Sequence, residues 1–100
     1  MIQLIFKHKE LEYLYRDEDY RHRKMSYEIQ RSYVKKCRYL EHMNSIQELY
    51  DLKSLHYEKY KAYHSIRINQ QWRIVFDVDN VGKITVIEII DVNNHYQPNF

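Results

Sequence analysis

The spacing of the hydrophobic residues changes once along the chain of 100 residues, near Leu52, and this change constrains the fold more than any other feature. Before Leu52, apolar residues recur every three or four positions, which is typical of amphipathic helices. After it, apolar and polar residues alternate, which is typical of half-buried strands. Helices followed by strands predict one α+β domain over residues 1–100, with the helices packed on one face of an antiparallel sheet.

The first half of the chain predicts a short strand followed by two to three helices. Residues 1–6 are apolar enough for a strand, and the next apolar spacing predicts a helix over residues 9–15. A longer apolar stripe predicts a helix over about residues 20–44, and its members are Met25, Ile29, Tyr33, Cys37 and Leu40. A capping box, Ser45-Ile46-Gln47-Glu48, predicts a short third helix.

The second half predicts three strands that follow one another along the sheet. Alternation places them at residues 64–69, 72–79 and 84–90, with turns at residues 69–71 and 80–82. The three strands form the predicted antiparallel sheet.

Composition excludes several classes of protein. The single Cys excludes a disulfide framework and a cysteine-based zinc site, and the single Gly excludes a glycine-rich phosphate loop. The histidines lack metal-ligand spacing, so we expect neither a metal ion nor a cofactor. No stretch is apolar enough to span a membrane and the N-terminus lacks a secretory pattern, which predicts a soluble cytoplasmic protein without a membrane partner.

Positive charge is concentrated between residues 21 and 38. This segment holds seven basic residues against one acid, Glu28, and tyrosines are interleaved with them. Clustered cations beside aromatic rings suit RNA, although a solvated helix face would show the same pattern. We call these residues the basic cluster and predict that they bind RNA: Arg21, Arg23, Lys24, Arg31, Lys35, Lys36 and Arg38.

A pair of arginines is predicted in the hairpin around residues 69–71. Placing Ile66 opposite Ile74 joins apolar residues on the core face, whereas a slip by one residue would bury a charge. This register sets Arg67 directly opposite Arg73 on the other face. Like charges in that position are destabilising unless a carboxylate or a bound anion lies between them. A phosphate would explain the pair, and so would a salt bridge to Asp77, Glu88 or Asp91.

Four segments of the chain resemble the HigB toxins, the plasmid maintenance killer branch of the RelE/ParE superfamily. The most specific of them is Ser65-Ile66-Arg67-Ile68-Asn69 followed by Trp72-Arg73. Residues 55–59 and 87–91 are also similar to the family, as is the start of the chain at residues 6–12. The resemblance implies a strand, two to three helices and a curved antiparallel sheet.

The resemblance also implies a function. HigB toxins belong to type II toxin–antitoxin systems, and they cut translated mRNA in the A site of the 30S ribosomal subunit without a metal ion. The RNA 2′-hydroxyl is the nucleophile in such a cut. The implied partners are the ribosome, mRNA and a HigA-like helix-turn-helix antitoxin. Two alternatives stay open: a ParE-like inhibitor of DNA gyrase, and a non-toxic remnant that still binds its antitoxin.

The candidate catalytic residues follow from the resemblance and from the arginine pair. The family's loop histidine and lysine correspond to His56 and Lys59, its sheet arginine to Arg73, and Lys61 is a second candidate for the lysine's role. Arg67 and Arg73 would stabilise the charge on the phosphate. The tail supplies an acid, an imidazole and a phenol in an order that departs from the family's usual one: Asp91, His95 and Tyr96.

Overall fold

The computed structural model describes residues 2–79 and 86–93. Its elements follow the predicted order of strand, helices and sheet. They are β1 Gln3–Phe6, α1 Lys9–Arg16, α2 Tyr27–His42, α3 Gln47–Asp51, a 3₁₀ turn Lys53–Leu55, β2 Glu58–Tyr60, β3 Tyr63–Arg67, β4 Arg73–Asp79 and β5 Val86–Asn93. The predicted turn at residues 80–82 lies outside the described residues.

The five strands form one sheet in the order β1-β5-β4-β3-β2. Neighbouring strands of the β2–β5 meander pair antiparallel, as predicted, whereas β1 pairs parallel with β5. The α+β prediction is confirmed, and the expected all-antiparallel sheet is a mixed one. Three helices and a 3₁₀ turn separate β1 from the meander, and β1 joins the sheet beside β5 rather than as part of a hairpin.

One hydrophobic core lies between the helices and one face of the sheet. Its members include Leu11, Leu14, Tyr33, Cys37 and Leu40 from the helices and Leu4, Ile66, Ile74, Phe76, Ile87 and Ile89 from the strands. The prediction that Cys37 is a core residue is confirmed, because its side chain is fully buried. The alternate residues of β3 and β4 therefore point to the opposite face of the sheet.

Helix α2 begins at Tyr27, so the predicted start near residue 20 is wrong. The Ser26 hydroxyl accepts a hydrogen bond from the Ile29 amide at 3.2 Å and caps the helix. The preceding loop is held by the buried side chain of Gln30, which accepts from the His22 amide at 2.6 Å and donates to the Tyr20 carbonyl at 3.1 Å. The Gln30 side chain thus holds residues 20–22 in a loop, although the apolar spacing alone assigns them to the helix.

The capping box at residues 45–48 acts through Glu48. Its carboxylate accepts hydrogen bonds from the amides of Asn44, at 2.5 Å, and Ser45, at 3.1 Å. Helix α3 follows, as predicted. No helix within the described part of the chain has the length and apolar character needed to cross a membrane.

Candidate functional site

The β3–β4 hairpin has the predicted register. Ile66 pairs with Ile74 and Arg67 pairs with Arg73. The turn is closed by the side chain of Asn69, whose Oδ1 accepts from the amides of Gln71 and Trp72 at 2.8 and 2.7 Å. This side-chain bond fixes the hairpin without a glycine and thereby fixes which residues lie opposite each other.

The arginine pair extends into a row across the end of the sheet. Arg73 also pairs with Asn93 on β5. On the other side, the carbonyl of His56, in the loop before β2, accepts a hydrogen bond from the Arg73 guanidinium group. We call His56, Arg67, Arg73 and Asn93 the arginine row. Its strand residues, Arg67, Arg73 and Asn93, start from the face of the sheet that points away from the core.

Arg73 is buried within this row. Its side chain is 2% exposed, and Nε donates to the Ser65 hydroxyl at 3.1 Å. Nη2 donates to the His56 carbonyl at 2.5 Å and to the Ser65 carbonyl at 3.4 Å. Although Arg73 starts from the face that points away from the core, it is not open to solvent, because the chain before β2 folds against its guanidinium group. Arg73 holds the backbone of His56 in place.

Arg67 has the opposite environment. It is partly exposed, and among the described residues no carboxylate lies within ion-pairing distance of it. A salt bridge to Asp77, Glu88 or Asp91 therefore does not account for Arg67 in this part of the chain. The row therefore presents one accessible guanidinium group, that of Arg67, and the buried Arg73 is its partner on the neighbouring strand.

His56 has a left-handed backbone conformation, with φ 46° and ψ 53°. Its amide donates to the Lys53 carbonyl at 3.0 Å, which ends the 3₁₀ turn, and its side chain is exposed. A non-glycine residue in this region costs free energy and is often found at functional sites. Lys61, in the turn between β2 and β3, also has a positive φ of 56°. His56 and Lys61 are thus the two non-glycine residues with a positive φ among the described residues, and both are candidate catalytic residues.

Asp91 lies on the same face as the arginine row, one pair further along the sheet. It pairs with Val75, and its Oδ2 accepts from the Asn93 Nδ2 at 3.2 Å. Lys59 pairs with His64 instead, so its side chain starts from the opposite face of the edge strand β2. The structure therefore brings Asp91 to the row and separates Lys59 from it. His95 and Tyr96 lie outside the described residues.

Sequence reasoning missed a pair formed by Tyr57 and His64. The Tyr57 hydroxyl and His64 Nδ1 share a hydrogen bond of 2.5 Å, and the imidazole stacks on Phe76 with ring centroids 5.5 Å apart. Burial first, and then the charge of Lys59, lower the pKa of His64, although Asp77 raises it. Burial, followed by a hydrogen bond with Tyr50, raises the pKa of Tyr57 to about 12. The alternation of apolar and polar residues that predicts β3 places His64 on the same face of the strand as Ile66, and this was the signal that the sequence offered.

The basic cluster divides into two parts in the structure. Arg23 and Lys24 line a groove of about 240 Å³ that also reaches Asp91 and Asn93, so they adjoin the end of the arginine row. The basic residues of α2 lie in the helix layer, where Arg31, Lys35 and Arg38 line a second groove of about 250 Å³. Six members of the cluster are exposed, and Lys36 is partly buried.

In residues 2–79 and 86–93, no group of three or more His, Cys, Asp and Glu side chains could hold a metal ion. The arginine row and Asp91 offer cations and a carboxylate on one sheet face, and the loop that contacts Arg73 carries an exposed imidazole. These groups are suited to binding a phosphodiester and transferring protons near it.

Three helices packed on a five-strand mixed sheet are consistent with the fold of a RelE-like toxin, and a family model agrees. The model of the HigB-like toxin, described as the RelE-like toxin of type II toxin–antitoxin system HigB, matches residues 4–97. The chain therefore belongs to the HigB-like toxin family. Comparison with curated proteins and with solved structures gives no significant match. Family membership indicates a toxin with an antitoxin partner, and ribonuclease activity in general terms.

Proposed function

We propose that this toxin is a ribosome-dependent endoribonuclease that cuts mRNA in the 30S A site at the arginine row, without a metal ion. The observation that carries the proposal is the hydrogen bond of 2.5 Å between Arg73 Nη2 and the His56 carbonyl. This bond joins the loop that bears an exposed imidazole to the strands that bear the arginine pair. The bond supports the proposal because it holds the backbone of an acid–base residue against the arginine pair.

The proposed reaction uses the nucleophile that RNA itself carries. A base accepts the proton of the 2′-hydroxyl, the 2′-oxygen forms a bond to phosphorus, and the bond from phosphorus to the 5′-oxygen breaks. The leaving 5′-oxygen takes a proton, which leaves a 2′,3′-cyclic phosphate and a 5′-hydroxyl end. An imidazole suits proton transfer because its ordinary pKa lies near neutrality, and such help contributes about 10²–10⁴-fold.

We assign the charge-stabilising role to Arg67, the accessible member of the pair. A guanidinium group stays protonated throughout and donates two parallel hydrogen bonds to phosphate oxygens. Arg73 is a positioning residue, since its donors are directed at Ser65 and His56. Its fixed positive charge adjoins the same phosphate.

The other candidate residues have supporting roles in the proposal. His56 and His95 are the candidates for acid and base, and Tyr96 is a second acid or a stacking ring. Asp91, which accepts from Asn93, orients an imidazole. Lys59 and Lys61 bind the RNA backbone at the sheet edge, and Arg23 and Lys24 bind it at the other end of the row, where their groove meets Asn93.

In vitro translation with the purified protein tests this proposal. Mapping of RNA ends should show cuts in translated mRNA and none in the same RNA without ribosomes. Arg67→Gln should remove the cuts, whereas Arg16→Gln, a matched change of an exposed arginine on α1 that pairs with Glu12, should keep them. A HigA-like helix-turn-helix antitoxin, added first, should prevent cutting in the wild type.

Three outcomes would contradict the proposal. Cuts in free RNA would remove the ribosome dependence, and full activity of Arg67→Gln would remove the assigned role. Intact mRNA together with a DNA-damage response in cells would indicate an inhibitor of DNA gyrase instead.

A further inference from the structure

Tyr27, the first residue of α2, is 51% exposed although two guanidinium groups contact its ring. The Arg21 guanidinium carbon lies 4.7 Å from the ring centroid. The Arg31 guanidinium lies 5.8 Å away, and its Nη1 donates to the Tyr27 hydroxyl at 3.3 Å. Arg21 is held in this position because its Nη1 also donates to the carbonyls of Glu18 and Tyr20, at 2.7 and 3.0 Å. The ring and its cations are therefore preorganised on the surface.

The same helix face continues the positive charge. Tyr27, Arg31, Lys35 and Arg38 are spaced by four, four and three residues, so they are neighbours along one side of α2. All four are exposed, and together they span about 16 Å at 1.5 Å per residue. Two acids, Asp17 and Glu18, lie across the groove at the end of α1. The exposed face of α2 itself presents three cations and one ring, with one acid, Glu28, in the first turn.

This surface lies on a different layer from the arginine row. Helix α2 packs through Tyr33, Cys37 and Leu40 against the core face of the sheet, whereas Arg67 starts from the opposite face. The loop of Arg23 and Lys24, which precedes Tyr27, lines a groove that reaches Asp91 and Asn93, so the α2 face begins near the end of the row and continues along the helix layer.

We propose that Tyr27 is the base-stacking residue of a second RNA-binding surface, whose backbone contacts are Arg21, Arg31, Lys35 and Arg38. An unpaired base stacks on the exposed part of the Tyr27 ring, next to the guanidinium groups that contact it, and the flanking phosphates bind the guanidinium and ammonium groups. The inference rests on the proposed function, which makes RNA the polyanion that this protein meets. It adds a nucleotide site on the helix layer to the cleavage site on the sheet.

RNA fits this surface better than a protein does. Stable protein interfaces depend on a few large apolar or aromatic anchors that become buried. Among the described residues, the large exposed hydrophobic side chains are Ile5, Tyr13, Tyr27, Tyr50 and Leu52, and Tyr27 is the one that α2 contributes. A row of cations beside one exposed ring is instead what binding of a nucleic-acid strand uses.

Binding of a 2′-O-methyl RNA hairpin with an unpaired loop tests the inference, since this RNA lacks the nucleophile and stays uncut. Fluorescence anisotropy over a series of salt concentrations gives affinity and salt slope. Tyr27→Leu should weaken binding roughly 5- to 150-fold, the range for losing one stacked base, with the salt slope unchanged. Tyr27→Phe should stay within about threefold of the wild type, since it keeps the ring. Arg31→Gln should lower the slope by about one.

The matched control is Tyr13→Leu, which removes another exposed tyrosine, 48% exposed, from α1. It should bind the hairpin as the wild type does, and Tyr27→Leu should bind a blunt 2′-O-methyl duplex as the wild type does. Equal effects of the two leucine variants would overturn the inference, as would undetectable binding by the wild type at low salt. Loss of antitoxin binding with RNA binding intact in Tyr27→Leu would make the surface a protein interface.

The two proposals fail separately. If the wild type binds the hairpin through Tyr27 but cuts no translated mRNA, the proposed function is wrong and the RNA surface remains. If translated mRNA is cut and Tyr27→Leu binds the hairpin normally, the nuclease remains and the second surface is wrong.

Discussion

Replacing Arg73 by alanine separates its positioning role from the charge role of Arg67. The change removes three hydrogen bonds, two of them to Ser65, which is 1% exposed. Each buried polar group left without its partner costs about 1–3 kcal/mol, and the His56 carbonyl, on an exposed residue, regains water. Counting the Ser65 hydroxyl and carbonyl, we expect a loss of about 2–6 kcal/mol in the free energy of unfolding. Arg67→Ala, at a partly exposed position, should change it by less than about 0.5 kcal/mol.

Urea denaturation and thermal melting measure the difference between these two variants. For a domain of this size, a loss of 2 kcal/mol lowers Tm by at least about 8 °C. Both variants should be non-toxic, but for different reasons. Arg73→Ala should displace His56, whereas Arg67→Ala should remove the charge from an intact fold. Equal Tm values for Arg73→Ala and the wild type would refute the reasoning, because they would mean that the three hydrogen bonds do not hold the loop.

Three further predictions concern single side chains. His56→Gly should keep or raise Tm, because glycine adopts the left-handed conformation without cost, while mRNA cutting falls; a lower Tm would contradict the assigned strain. The pKa of His64 is lowered by burial in the folded state, so the unfolded chain takes up a proton first as the pH falls below about 6.5. The wild type should therefore lose more stability than His64→Phe between about pH 7.5 and pH 5, and parallel curves would contradict this. Burial raises the pKa of the Cys37 thiol, so a thiol reagent should label native protein far more slowly than protein in urea.

The strand register could be derived from the sequence because one wrong step would bury a charge. Ile66 and Ile74 are fully buried, and a slip would have replaced one of them in the core with Arg73 or Arg67. The predicted helices were recovered for the same reason, since their apolar residues form the core. The strand register and the helices follow from the apolar spacing within each helix or strand, so the local sequence is enough to predict them.

Features that depend on distant side-chain contacts were not predictable in this way. The short edge strand β2 has the sequence Glu-Lys-Tyr, which shows no apolar alternation. The left-handed residues His56 and Lys61 are neither glycine nor asparagine, so nothing in the local sequence marks them. The burial of Arg73 depends on a carbonyl 17 positions earlier in the chain. Each of these follows from how the segment before β2 folds over the sheet.

The two proposed RNA surfaces give ribosome dependence a physical basis. The formal net charge of the chain is only +2, so attraction to RNA depends on where the basic residues lie. The arginine row belongs to the sheet and Tyr27 to the helix layer, so an RNA bound at one surface does not by itself fill the other. An RNA-rich assembly engages both surfaces at once, and the second contact then forms at a high effective concentration. Cutting by Tyr27→Leu should therefore fall on ribosomes at high salt more than at low salt, since the remaining contacts are mainly ionic. A salt-independent defect would mean that the second surface does not contribute to binding.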